Sequence, residues 1–228
     1  MKLAEALRNH VRLHMLFLDN NKLSTAGANA LAECLKNKQD LRVLNIDHNN
    51  IGPAGAQKVA EQLRNNYGLS KLYCDSNDIG EAGCEALAEC MEMMDSLKKV
   101  CLENNAIKDA GAIALSRALE DNDTLLSLHL ENNMISREGA CSLGVMLSNK
   151  FKLSKLNLNR NPLGDEGFTK IAEGLREIET LRIITLANTD VTKESIPQLA
   201  QALQNKRFLT KIQLDNNRIG PDGAALLA

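Results

Sequence analysis

Leucines stand at positions Leu13, Leu41, Leu69, Leu97, Leu125, Leu153, Leu181 and Leu209, each 28 residues after the one before, with no insertion or deletion between them. Each opens the same pattern, LxxLxLxxN, followed two residues further on by Ile, Leu or Val. A fixed period of this length is the mark of a repeat architecture, in which one supersecondary unit recurs and no unit can bury its apolar surface alone. This constraint removes most folds open to a chain of 228 residues.

Each unit reads as a short strand followed by a helix. In the first, Leu16 and Leu18 alternate with Met15, Phe17 and Asp19, the period of a strand with one buried face. Ala28, Leu31, Ala32 and Leu35 then fall at helical spacing and form one apolar stripe. Between them lies Ser24, and its equivalents are Gly52, Gly80, Ser136, Gly164, Thr192 and Gly220, all suited to an N-cap, with Lys108 as the exception. Pro53 and Pro221 follow at the first helical position, where a missing N–H costs nothing. Stacking such units gives one α/β domain over 1–228, a leucine-rich-repeat solenoid with a parallel sheet on its concave face and helices on its convex face. The asparagine column that begins at Asn21 is placed to satisfy backbone groups where the chain leaves each strand.

The segment Leu-Asn-Ile-Asp-His-Asn-Asn-Ile-Gly-Pro-Ala-Gly-Ala (44–56) resembles the ribonuclease-inhibitor-like class of leucine-rich repeat. That class includes ribonuclease inhibitor, the Ran GTPase-activating protein and the sensor ends of NOD-like receptors. The resemblance implies a right-handed horseshoe that binds proteins. It also implies two alternative roles, a GTPase-activating protein and the ligand-sensing region of a larger receptor. The former would use polar residues on the loops at one edge, where Arg160 and Asn188 fall. Leu3, Ala4 and Leu7 align with Leu31, Ala32 and Leu35, and Leu227-Ala228 with Leu31-Ala32, so the sequence reads as an excerpt of a longer array.

Several function classes are disfavoured. A formal charge of -2 gives no general pull toward nucleic acid or an acidic membrane, and no apolar run approaches the length of a bilayer span. Nothing matches a phosphate-binding loop, and no cofactor is implied. The six cysteines fall in different slots, with Cys74 in the strand core, Cys34 and Cys90 two repeats apart and Cys101 toward the concave face. That scatter points to free thiols and a reducing, cytoplasmic setting.

The outward strand positions supply the candidate binding residues. One column reads Asp19, Asp47, Asp75, Glu103, Glu131, Asn159, Ala187, Asp215, with five consecutive acids on strands about 4.8 Å apart. Its neighbour reads Phe17, Asn45, Tyr73, Cys101, His129, Asn157, Thr185, Gln213. The acids suit a basic protein partner, or they are a favoured framework choice; Phe17 and Tyr73 are binding rings, or isolated surface aromatics. Cys101 beside His129, with Glu103 and Glu131, has the composition of a nucleophile with its base or of a metal site, but an open sheet offers no enclosure. Lys71, Lys99, Lys155 and Lys211 stand in a third column. The seventh unit departs most, with Thr189 in the asparagine column and Pro197 in the helix, which delays the helix start to a cap at Ser195.

Overall fold

A computed structural model describes residues 5–7, 10–149, 152–204 and 206–226. Leu3, Ala4, Leu227 and Ala228, used above to align the chain ends, lie outside the described residues. Eight strands form one parallel sheet in strict sequence order. They are β1 (Met15–Phe17), β2 (Val43–Asn45), β3 (Lys71–Tyr73), β4 (Lys99–Cys101), β5 (Ser127–His129), β6 (Lys155–Asn157), β7 (Ile183–Thr185) and β8 (Lys211–Gln213). The register never slips: Leu16 pairs with Leu44, Leu44 with Leu72, and so on to Ile184 with Ile212. The inter-repeat bonds outrun the three-residue strands, since Asn20 N–H still donates to the Asp47 carbonyl at 2.9 Å.

The helices form the second layer: α1 (Ser24–Leu35), α2 (Gly52–Leu63), α3 (Gly80–Met91), α4 (Lys108–Ala118), α5 (Arg137–Leu147), α6 (Gly164–Leu175), α7 (Ile196–Leu203) and α8 (Gly220–Ala225). Between the layers a single core of leucine, isoleucine and alanine side chains is buried, each repeat covering the next. Burying one leucine of this kind is worth about 1.5–3 kcal/mol, and only stacking makes the burial possible. The second strand position shows this, with Leu44, Leu72 and Leu128 all 0% exposed.

The helix starts correct the capping expectation. Ser24, Gly52, Gly80, Lys108, Gly164 and Gly220 all have left-handed backbone, with φ of 56°, 68°, 63°, 50°, 62° and 64°. The turn into the helix demands that conformation, which glycine adopts without strain, and the N-cap position falls one residue earlier, at Leu23 in the first repeat. Lys108 is therefore no exception; it tolerates the turn and pairs with Glu81 of the preceding repeat at 2.8 Å. The exceptions are Ser136 and Thr192, which are extended and stand at N-cap positions as expected, Thr192 Oγ1 accepting the Glu194 N–H at 3.3 Å. There an aspartate reaches across from the preceding repeat. Asp109 accepts from Ser136 N–H (2.7 Å), Ser136 Oγ (2.5 Å) and Gly139 N–H (3.0 Å). Asp165 accepts from Thr192 N–H (2.8 Å) and Oγ1 (2.6 Å).

Repeat seven starts its helix late, as expected, after a 3-10 turn over Lys193–Ser195. Pro197 falls in the first turn of α7, where it breaks no helical bond. Ser195 does not cap that helix, however. Its hydroxyl donates to Asp165 at 2.8 Å, so the side chain is spent across the repeat boundary.

Candidate protein-interaction face

Strand alternation puts three rows of side chains on the open face of the sheet, illustrated by Lys71, Tyr73 and Asp75 on either side of buried Leu72 and Cys74. The parallel register carries each row straight across the strands, pairing Lys71 with Lys99, Tyr73 with Cys101 and Cys101 with His129. The candidate residues Phe17, Asp19, Asp47, Tyr73, Asp75, Glu103, His129 and Glu131 therefore do share one surface. They do not share one role.

In the acidic row, side-chain length divides the work. The short Asp47 carboxylate receives the Asp75 N–H at 2.6 Å, and Asp75 receives the Glu103 N–H at 2.6 Å. Asn159 does the same for Ala187 N–H at 2.8 Å, so an amide oxygen serves as well as a carboxylate. Glu103 and Glu131 are one methylene longer and reach side chains instead. Glu103 meets His129 Nδ1 at 3.1 Å and accepts from Asn157 Nδ2 at 2.9 Å; Glu131 accepts from Asn157 at 3.0 Å and pairs with Arg160 at 3.6 Å. Asp19, at the first strand, is exposed and takes a bond from Asn20 at 3.1 Å.

The electrostatics follow the same division. Burial pushes the Asp47 carboxyl up, opposed by its bond from Asp75 N–H. Burial raises Asp75 to about 7; the Glu103 N–H opposes that rise, and the charges of Asp47 and Glu103 add to it. Glu103 moves the other way, held low by its hydrogen bond to His129 against the cost of burial.

The middle row is flatter than its composition implies. Phe17 is open, at 56% exposure, but Tyr73 is half-buried beneath the Lys99 ammonium, 4.7 Å from its ring centroid. Cys101 faces this side by register, as its column places it, and is only 3% exposed. Burial also drives it up to about 12, which favours the protonated thiol. His129 is turned away from Cys101: its Nε2 lies 2.8 Å from Ser127 Oγ and its Nδ1 faces Glu103.

Hydroxyl, imidazole and carboxylate in that order make a proton relay possible. Catalysis would also need donors for a developing oxyanion, and the nearby backbone N–H groups of Leu126 and Ser127 are consumed by the Lys98 carbonyl. The contacts with Ser127 and Glu103 tether the His129 ring on the floor of the face. Ser127 and Asn157 are the two members of this network that sequence reasoning did not single out; the signal was Ser127 interrupting the lysine column.

Among the described residues no group of three or more His, Cys, Asp or Glu side chains is arranged to hold a metal ion. All six cysteines are free thiols. Arg160 and Asn188, at the loop edge, both have left-handed backbone and are separated by a repeat; Arg160 is occupied by Glu131. On the helical side a groove of about 510 Å³ lies between α3 and α4, lined by alanines and by Glu85, Glu89 and Arg117. No helix of the described residues is long and apolar enough to cross a membrane.

The Leucine Rich repeat family model matches residues 37–60, 96–116, 149–172 and 205–228. No curated protein matches the chain. The four segments fall on repeats two, four, six and eight, and the repeats between them carry the same strand and register, each followed by a helix. The chain is a leucine-rich-repeat protein.

Proposed function

We propose that the open face of the sheet binds another protein and that its acidic row receives a basic segment of that partner. The observation that carries this is a charge left unanswered. Among the described residues, no ion pair engages Asp19, Asp47 or Asp75, while charges on the helical side pair locally, as in Lys58–Glu61 and Lys170–Glu173. A row of half-buried acids raises the cost of the unbound state, and a cationic partner relieves it. Repeat proteins of this family serve generally as binding scaffolds, which supports the same reading. The uniform period with a full helix in most repeats supports membership of the ribonuclease-inhibitor-like class, and the buried free thiols support a reducing, cytoplasmic setting.

The test is capture of partners from lysate of the source organism, using the wild-type chain and a variant carrying Asp47→Asn, Asp75→Asn, Glu103→Gln and Glu131→Gln. Asn159 shows that the amide keeps the framework bond, so the variant loses charge without losing its backbone contacts. Circular dichroism checks the fold. We expect the wild-type partner to be lost from the variant, and to elute from the wild type as salt shortens the Debye length below about 10 Å. Equal capture by both chains would overturn the reading.

A further inference from the structure

We infer that the partner element fitting this face is a bipolar α-helix, acidic along one edge and basic along the other, lying across the strands. This rests on the reading that the sheet face binds protein, and it goes further by fixing the shape and charge pattern of what is bound.

Lys71, Lys99, Lys155 and Lys211 open strands β3, β4, β6 and β8, and like the acids they share the open face. Among the described residues none of these four makes an ion pair. The reason is distance. A lysine and the acid of its own repeat, such as Lys71 and Asp75, are four residues apart along an extended chain, or about 13 Å. The backbone thus holds the two rows apart, each running parallel to the stack, and among the described residues only the Lys99 ammonium leans inward over Tyr73, where its charge lowers Asp47 and Glu103.

Between them lies a floor of short or tethered groups: Asn45, Tyr73 half-buried beneath Lys99, buried Cys101, His129 held by Ser127 and Glu103, Asn157 and Thr185. The surface is a shallow trough with a cationic wall and an anionic wall.

An α-helix is about 10–12 Å across with its side chains, which matches that separation. Residues three and four apart on one helical edge advance about 4.5–6 Å, close to the strand spacing of about 4.8 Å, so one edge can meet successive strands. An extended segment fits less well. Its side chains alternate up and down, so a strand lying in the trough presents only one line of groups to the sheet and cannot serve both walls. From Lys71 to Lys211 the trough covers five strand steps, or roughly 24 Å, enough for a helix of about 16 residues, with acids at Asp75, Glu103, Glu131 and Asp215 and the uncharged Asn159 and Ala187 between the last two.

The test uses two synthetic helices of equal composition, each cross-linked for helicity and about 18 residues long to cover the trough. One carries glutamates along one edge and lysines along the other; the second interleaves the two on both edges. Binding is followed by fluorescence anisotropy at low salt, against the wild type, a Lys71→Gln/Lys99→Gln/Lys155→Gln variant and an Asp47→Asn/Asp75→Asn variant. We expect the bipolar helix to bind the wild type at least about 10-fold more tightly than the interleaved one, and each variant to erase that preference. Loss in the aspartate variant with none in the lysine variant would overturn the bipolar helix and leave the acidic row as the binding site. Indifference to both variants would overturn both readings. Equal binding of the two helices, or binding of neither, would overturn this inference alone, since the lysate capture above judges the face independently of partner shape.

Discussion

Two columns of polar side chains run the length of the sheet only two residues apart, and they solve opposite problems. The asparagine column is inside. Asn49, Asn77 and Asn133 are 0% exposed, and each amide oxygen accepts a backbone N–H from the preceding repeat, as Asn77 does from Asn49 at 3.1 Å. Each amide nitrogen then donates to carbonyls, as Asn77 does to Ile46 at 2.8 Å. The acidic column is half outside and bonds in the other direction, Asp47 accepting from the following repeat. A carboxylate has no proton to give, so it cannot close a ladder in the interior; an amide can. Donor capacity decides which column disappears into the framework and which keeps charge at the surface.

The comparison breaks most severely if the interior column is given the exterior column's chemistry. Asn105 donates to the carbonyls of Cys74 (2.9 Å) and Glu103 (3.1 Å) and accepts from Asn77 N–H (2.9 Å), at 1% exposure. Asn105→Asp removes both donors and sets an anion against two carbonyl oxygens. We expect a loss of about 3–5 kcal/mol in urea unfolding, partly recovered in acid as the carboxyl gains a proton. A loss under about 1 kcal/mol would mean the ladder is not a buried, fully satisfied network. A smaller effect is expected from Asp75→Ala, which leaves the half-buried Glu103 N–H without its acceptor, at about 1–2 kcal/mol. Asp75→Asn keeps that acceptor and should restore most of the loss in the same assay.

These distinctions bear on what the sequence could reveal. The period and its leucines were enough for strand order, register and the two layers, because a solenoid's contacts are all between neighbours. The capping expectation held at Ser136 and Thr192 and failed at Ser24 and the glycines, because all of them look like one class of capping residue. Backbone angle separates them, and its trace in sequence was subtler: Ser136 and Thr192 each follow an aspartate, Asp109 and Asp165, by 27 positions. The candidate face was legible as rows but not as roles. Asp75 and Glu103 occupy equivalent columns, and only the reach of one added methylene sends one to backbone and the other to His129. Alternation placed Cys101 and Tyr73 outward correctly, yet it carries no information about what lies over them; Tyr73 is covered by Lys99.

The smallest effect expected is also the sharpest test of that division, because two adjacent acids should respond to pH with opposite signs. Asp75 is raised from 3.8 to about 7 in the folded chain. Between those values the folded protein holds a proton that the unfolded chain has released, so stability falls as pH rises through the window. Glu103 is lowered from 4.5, so its contribution is present above that value and is lost as pH falls through its folded range. Asp75→Asn should therefore flatten the decline of stability toward neutral pH, while Glu103→Gln should flatten the decline toward acid. Each change should stay under about 1 kcal/mol, since solvent screens half-buried groups. Urea unfolding from about pH 3 to about pH 8 measures both. If the two variants alter the same limb, the acids are one framework feature after all, and the argument that Asp75 holds charge at strain for a cationic partner loses its footing.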